Sequence, residues 1–230
     1  MNYSAWLPWY NKILNDFGYS KAKDEFAARV LAKLLSPKLK VTIKELEKLI
    51  RDKNVYVFGA ANSLKLGINK THRSEKDVFI SADSATSLLI NDNKIPDIIV
   101  TDLDGNIKDL LRANEKGSIA IIHAHGDNIE ILKKYVGKFK GKVIGTTQAS
   151  PFDGIYNFGG FTDGDRAVFL AEHFKAKKIF LVGFDFKKVG ELCKGKKRRL
   201  KLKKLKWAEK LITALRSRCK SNLEILCYLY

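Results

Sequence analysis

The 230-residue chain is 45% hydrophobic and 30% charged, with 16 Gly and 4 Pro, which is ample material for a packed core and excludes a collagenous, low-complexity or disordered protein. Lys and Arg number 43 against 25 Asp and Glu, a net charge of +18 that invites a nucleic-acid reading, yet Lys187 to Lys206 alone, with eleven basic residues and one acid (Glu191), supplies +10 of it. No apolar run approaches the ~18 residues of a membrane-spanning helix.

Met1 to Tyr10 is aromatic but lacks the basic leader and apolar core of a signal peptide. Cys193, Cys219 and Cys227 are unevenly spaced with no CxxC pair, which argues against a disulfide framework or a cysteine zinc site and fits a reducing cytoplasm. The first fifty residues read as helices. Tyr19 to Leu35 carries apolar residues near helical spacing and ends at Ser36-Pro37, and Thr42 with Glu45 has the spacing of a capping box. From Asn54 the pattern changes. Short apolar runs at Val55–Phe58, Val78–Ser81, Ile98–Thr101, Ile119–His123, Val143–Gly145, Ile179–Gly183 and Leu223–Leu229 read as strands. Between them, helical stretches fall around Ser84–Ile90, Ile107–Asn114, Asn128–Val136, Asp165–Phe174 and Leu202–Arg218. Such alternation predicts an α/β fold with a doubly wound, mostly parallel, Rossmann-like sheet. Residues 1–53 form a helical segment ahead of an α/β domain over 54–230, with a basic insertion at 187–206.

In such sheets ligands bind beyond the carboxyl ends of the strands. There this chain places Gly59-Ala-Ala-Asn-Ser63, Ala82-Asp83-Ser84, Thr101-Asp-Leu-Asp-Gly105, His123-Ala-His-Gly-Asp-Asn128, Thr146-Thr-Gln148 and Gly183-Phe-Asp185, with Gly159 to Arg166 ahead of a later helix. In an extended segment Asp102 and Asp104 point to one face and converge on one cation, and their hard oxygens suit Mg²⁺. Asp127 after the next strand supports this over the other reading, a DG turn with an Asp capping the next helix. His123 and His125 have the spacing of a strand-end zinc pair, but further ligands are not evident, and a satisfied strand-end histidine or a supporting role near Asp127 are the other readings. Gly59, Asn62 and Ser63 lead into a helix whose backbone N–H groups suit phosphate, although the loop matches neither the Walker A nor the GxGxxG pattern. Arg166, on the first turn of a helix, either reaches a phosphate or pairs with an acid at the surface.

Together these motifs resemble a family. Ala82-Asp83, the stretch from Pro96 to Gly105, His123 to Asn128, Gly145-Thr-Thr-Gln148, Asn157 to Ala167 and Gly183-Phe-Asp-Phe186 look like the archaeal 6-hydroxymethyl-7,8-dihydropterin pyrophosphokinases, the MptE-like family. The resemblance runs from about Asn54 to the C-terminus, and its first half also resembles thiamin pyrophosphokinase. It implies transfer of diphosphate from ATP to the hydroxymethyl group of the dihydropterin, releasing AMP, in folate or methanopterin synthesis. Asp102, Asp104 and Asp127 match the acids expected to hold Mg²⁺. The departure is at Gly59-Ala-Ala-Asn-Ser-Leu64, where the family more often shows Gly-x-Gly-Pro-Ser-Leu.

The chemistry agrees with this, since phosphoryl-type transfer needs alignment and charge neutralisation more than covalent help. Arg166 and part of the Lys187–Lys206 segment would add positive charge. The hydroxyl proton has a carboxylate or His125 as acceptor. Asp83 or Asp185 would bind the pterin's amino-pyrimidinone edge at two points, and Asn128, Gln148 and Asp163 in the same motifs complete the expected substrate contacts. The partners implied are ATP and a pterin, without membrane or nucleic acid, and with a homodimer as an open expectation. Competing readings are thiamin pyrophosphokinase, an enzyme of nucleotide sugars on the same fold, and a nucleic-acid-binding protein. The last predicts metal-independent, salt-sensitive binding and leaves the strand-end acids unexplained.

Overall fold

The computed structural model describes residues 2–35, 41–189, 195–218 and 222–226. The predicted helix stop at Ser36-Pro37, the three cysteines and the end of the last predicted strand lie outside them. The chain begins with α1 (Tyr3–Phe17), α2 (Lys21–Leu34) and α3 (Ile43–Ile50). Polar caps start each of these helices. Asn2 accepts from the Ala5 N–H, Ser20 accepts from the Lys23 N–H, and Thr42 and Glu45 exchange bonds as the expected capping box.

Strands and helices then alternate: β1 (Asn54–Phe58), α4 (Leu64–Lys70), β2 (Asp77–Ala82), α5 (Ala85–Asn91), β3 (Ile98–Thr101), α6 (Ile107–Glu115), β4 (Ile119–Ala124), α7 (Ile129–Tyr135) and β5 (Val143–Thr147). After these come β6 (Ile155–Tyr156), α8 (Asp163–His173), β7 (Lys178–Val182), α9 (Gly195–Arg216) and β8 (Asn222–Leu226). Of these strands the sequence pattern misses β6, whose two residues are too few to show a period. The eight strands form one sheet in the order β6-β5-β4-β3-β2-β1-β7-β8, and every neighbouring pair is parallel.

Alternate residues of the central strands part to opposite faces. Val55, Val57, Val78, Ile80, Ile98, Val100 and Ile121 pack beneath α1, α3, α8 and α9, through Trp6, Tyr10, Leu46, Phe169, Leu170 and Leu211 among others. On the other face Ile99, Ala120, Ile122 and Val143 meet α2, α6 and α7, while Phe58, Phe79 and Val182 meet α4 and α5. Coverage on both faces is why these strands read as continuous apolar runs. The N-terminal helices are therefore divided: α1 and α3 lie on one face and α2 on the other. Among the described residues, no helix is long and apolar enough to cross a membrane.

Strand order reverses between β1 and β7, and the loops leaving these two strands interlock. Gly59 N–H donates to Val182 O and Ala61 N–H to Gly183 O, each at 2.9 Å. Gly183 has φ +69°, and a Cβ there would lie 2.6 Å from Gly59 O and 2.7 Å from Leu64 Cβ. Gly183→Ala combines a left-handed backbone with a clash against main chain, so it is expected to cost about 2 kcal/mol or more. Urea denaturation of the variant against the parent protein checks this.

Candidate active site

Four carboxylates meet at the carboxyl ends of the central strands. Asp83 follows β2, Asp102 and Asp104 follow β3, and Asp163 opens α8; one oxygen of each lies within 4.8 Å of the others. Asp83 is buried and held at φ +40°. Its Oδ1 accepts from the Thr101 hydroxyl, and its buried Oδ2 has no hydrogen-bond partner. Gly105 makes room for it, because a Cβ there would fall 2.2 Å from Asp83 Oδ2.

Asp102 and Asp104 converge as expected, but not along an extended segment. Leu103 has φ +69° and is buried in the core, its N–H donates 2.8 Å to Thr101 Oγ1, and the Asp104 N–H donates 3.3 Å to Asp102 Oδ1. A turn around a buried leucine therefore aims the two acids together. No Asp of this loop caps the next helix: Asn106 caps α6, its side chain accepting from the Lys108 N–H.

Crowding divides the four acids electrostatically. Burial, followed by the charge of Asp104, pushes the Asp83 carboxyl up to about 7. Burial and then the Asp102 charge raise Asp104, and the same two causes push Asp163 well above the usual range. For Asp102 burial also acts upward, but the His125 hydrogen bond and the charges of His125, Arg166 and Lys204 outweigh it and bring the carboxyl down to about 2. One firmly ionised acid thus sits among three that resist ionising. Clustered hard oxygens, one of them buried without a partner, are donor chemistry suited to a divalent cation such as Mg²⁺.

The surrounding residues divide into those that face this site and those that build it. His125 Nε2 lies 3.3 Å from Asp102 Oδ2, and its Nδ1 accepts from the Asp127 N–H at 3.3 Å, so the imidazole proton is directed at Asp102. Asp127 is exposed and outside the four-carboxylate group; it lines the cleft beside Asp102 together with Tyr19, Lys23, Gln148, Phe161, Arg166 and Lys204. Asn128 is buried as a staple between loops, donating to Asp102 O and His123 O and accepting from the His125 N–H. His123 is buried, bonded through Nδ1 to Thr146 Oγ1 at 3.1 Å, and kept neutral by burial and the Arg166 charge. The two rings serve different partners, and among the described residues no metal-ligand group includes either of them.

Arg166 is 8% exposed, pairs with Asp163 at 3.3 Å and donates 3.4 Å to Gln148 Oε1. Asp165, hidden at the start of α8, accepts from the Phe161 and Thr162 N–H groups and shapes the turn that presents Asp163 and Arg166. Asp185 stands apart from the cluster and accepts from the Lys187 and Lys188 N–H groups, a local turn contact. Around Gly59 two loop N–H groups are already bonded to the β7 main chain, while Asn62 is exposed and Ser63 begins α4 without a side-chain cap bond. Sequence reasoning missed Lys204 as an individual residue. It also missed Asp24, which lines the same cleft from α2.

Comparison with known proteins bears on the family. The model of the MptE-like 6-hydroxymethylpterin diphosphokinases matches residues 29–191. The chain belongs to that family. A 6-hydroxymethyl-7,8-dihydropterin pyrophosphokinase of Methanocaldococcus jannaschii is 46% identical over 81% of this chain and 80% of its own length. One of Pyrococcus furiosus is 44% identical over 94% of this chain and 95% of its own. Among solved structures, the MAf glycosyltransferase of Magnetospirillum magneticum AMB-1 superposes with a TM-score of 0.50 at 15% identity, over 80% of this chain and 38% of that longer one. That likeness concerns the Rossmann-like fold alone.

The crowding of the four carboxylates makes stability depend on pH. Asp83 titrates near 7 in the fold against a usual 3.8, so between those values the folded protein holds a proton that the unfolded chain releases. Its contribution is complete below about 4 and is lost as pH rises through 7. The metal-free protein is therefore expected to melt higher at pH 6 than at pH 8, and millimolar Mg²⁺ to raise the pH 8 value most. Melting curves in EDTA and in Mg²⁺ across that range check both parts.

Proposed function

We propose that the protein transfers the diphosphate group of ATP to the hydroxymethyl oxygen of 6-hydroxymethyl-7,8-dihydropterin, giving AMP and the pterin diphosphate. In that role it would serve the pterin branch of folate or methanopterin synthesis. The observation that carries this reading is the match, over four fifths of the chain or more, to pyrophosphokinases of that pterin, coinciding with a four-carboxylate cluster beside an open cleft. The hydroxyl oxygen attacks the β-phosphorus, the bond from that phosphorus to the α-phosphate's bridging oxygen breaks, and AMP leaves.

In this reading Asp102 and Asp104 would hold Mg²⁺, and Asp83 and Asp163, once ionised, would complete the oxygen set. The ion would neutralise the triphosphate and leave the β-phosphorus open to attack. Asp127, though matched by the resemblance to the metal acids, lies outside the cluster on the cleft wall, and we assign it to the hydroxyl proton. His125 holds the Asp102 carboxylate in orientation. Arg166 and Lys204 face the same space and supply fixed positive charge where negative charge develops on the departing phosphate. Lys204 belongs to the basic segment but, unlike the exposed Lys197 and Lys201, is half-buried at the cleft near Phe161. Of the other lysines there, Lys197, Lys201 and Lys206 are exposed and Lys203 pairs with Asp16 on α1, and we assign these four no part in the step.

Incubation with ATP, Mg²⁺ and the dihydropterin, with thiamine in a parallel reaction, is expected to yield AMP only with the pterin. AMP with thiamine alone would replace the acceptor and keep the chemistry. Asp102→Asn and Asp104→Asn are each expected to lose roughly 10²- to 10⁴-fold in kcat while remaining folded. Full activity of either at limiting Mg²⁺ removes the metal assignment. Lys204→Ala is expected to lower kcat/KM for ATP by about tenfold, with Lys201→Ala within twofold of the parent, as steady-state kinetics at low salt would show.

A further inference from the structure

Asp24 lies on α2, ahead of the stretch that the family model matches. It is 3% exposed, and its two oxygens accept three hydrogen bonds. Oδ2 takes the Tyr10 hydroxyl at 2.7 Å and Gln148 Nε2 at 2.8 Å, and Oδ1 takes the Gly126 N–H at 2.8 Å. Each donor comes from a different element: α1, the end of β5, and the loop that carries His125 and Asp127.

A carboxylate accepts and never donates, so it determines which way the Gln148 amide faces. With the Gln148 NH₂ turned to Asp24, Oε1 is left facing Arg166, whose guanidinium only donates; the observed separation is 3.4 Å. Arg166 in turn pairs with Asp163 of the carboxylate cluster. Gln148 is itself buried and anchored through its backbone carbonyl, which accepts from Trp6 Nε1 and Asn157 Nδ2, so its side chain can answer a change of polarity at Asp24 only by turning over. The second oxygen of Asp24 meanwhile holds the loop whose next residues line the cleft.

We infer that Asp24 is a positioning residue for the transfer reaction: through Gln148 it sets the place of Arg166, and through Gly126 it sets the loop of His125 and Asp127. This rests on the diphosphokinase reading given above. Two N-terminal helices thereby become part of the site, since one supplies the acceptor and the other, through Tyr10, holds it.

A polarity exchange tests the inference. Asp24→Asn has the same shape but presents NH₂ to the Gln148 NH₂. The amide then turns over and faces Arg166 with donors, so kcat is expected to fall at least tenfold with KM for the pterin changed less than threefold. The double variant Asp24→Asn with Gln148→Glu restores donor to acceptor at both contacts, and kcat is expected to return to within about threefold of the parent. Gln148→Glu alone sets two carboxylates against each other and should be the poorest of the set. Gln148→Leu leaves Asp24 with its Tyr10 and Gly126 bonds and should reproduce the Asp24→Asn loss, which keeps the question open to measurement if Asp24→Asn does not fold.

A purely structural Asp24 would instead give lower melting temperatures with unchanged kcat per folded molecule, and no rescue in the double variant; either result overturns the inference. Calorimetric titration of the same variants with MgATP separates it from the assigned reaction. Asp24→Asn is expected to bind at least fivefold more weakly and the double variant to recover. If the parent protein makes no pterin diphosphate, the reaction is wrong and this series still decides the role of Asp24.

Discussion

Carboxylates that share one small volume repel one another, and much of this molecule is arranged to keep Asp83, Asp102, Asp104 and Asp163 together against that repulsion. Three of them hang from the ends of two adjacent strands, β2 and β3, whose side chains are buried on both faces and whose main chain is locked by parallel pairing. The fourth arrives on α8, which crosses the opposite face of the sheet and is seated by a buried run from Ala167 to Ala171. Packing elsewhere thus supplies the energy that holds like charges close. The acids respond by dividing: Asp102 is ionised beside His125, while Asp83, Asp104 and Asp163 are driven toward the protonated form. In the proposed reaction a divalent cation would reverse that balance, since a positive charge among the four carboxylates favours their ionised forms.

The positive counterparts are few and specific. Although the chain carries +18, among the described residues the charges that act on Asp102 are those of Arg166 and Lys204, with the His125 ring proton directed at it. Lys203, next to Lys204, turns instead to Asp16 and the Phe17 ring on α1, and Trp207 donates to the same Asp16. The basic helix α9 is therefore held to α1 by Lys203, Trp207 and Lys210, the last over the Trp9 ring, and faces the cleft with Lys204. Both α1 and α2 also converge on Asp24, which joins them to Gln148 and to the loop after β4. Two separate links thus tie the N-terminal helices to the elements around the carboxylate cluster.

Much of this was readable along the chain. The apolar runs marked the central strands because each is covered on both sides, and the Thr42–Glu45 spacing marked a helix start because a capping box is closed by residues three apart. Asp102 and Asp104 were legible as a pair, although the geometry assumed for them was extended while the observed turn depends on a buried Leu103. The loop at Gly59 suits phosphate by its sequence, and its surroundings show a second reason for glycine, a backbone crossing with the loop after β7, that no local pattern displays. Asn128 and Gln148 stood out as strand-end polar residues, and their bonds run to His123, Asp102, Asp24 and Arg166, contacts that spacing along the chain does not display, while Gln148 also lines the cleft.

The sequence by itself determined whatever rests on neighbours a few residues apart: the strand and helix alternation, the caps, the acidic loop and, through its motifs, the family. Tertiary structure alone decided which strand ends lie side by side, that Asp163 joins the cluster while Asp127 stands at the mouth, and that a carboxylate on α2 holds groups 102 and 124 residues further on. The physical reason is one of range. Caps and periodicity are set by covalent geometry over one or two turns of chain, whereas the position of a buried acid is set by which surfaces the packed sheet brings against it, and a one-dimensional pattern carries no record of that.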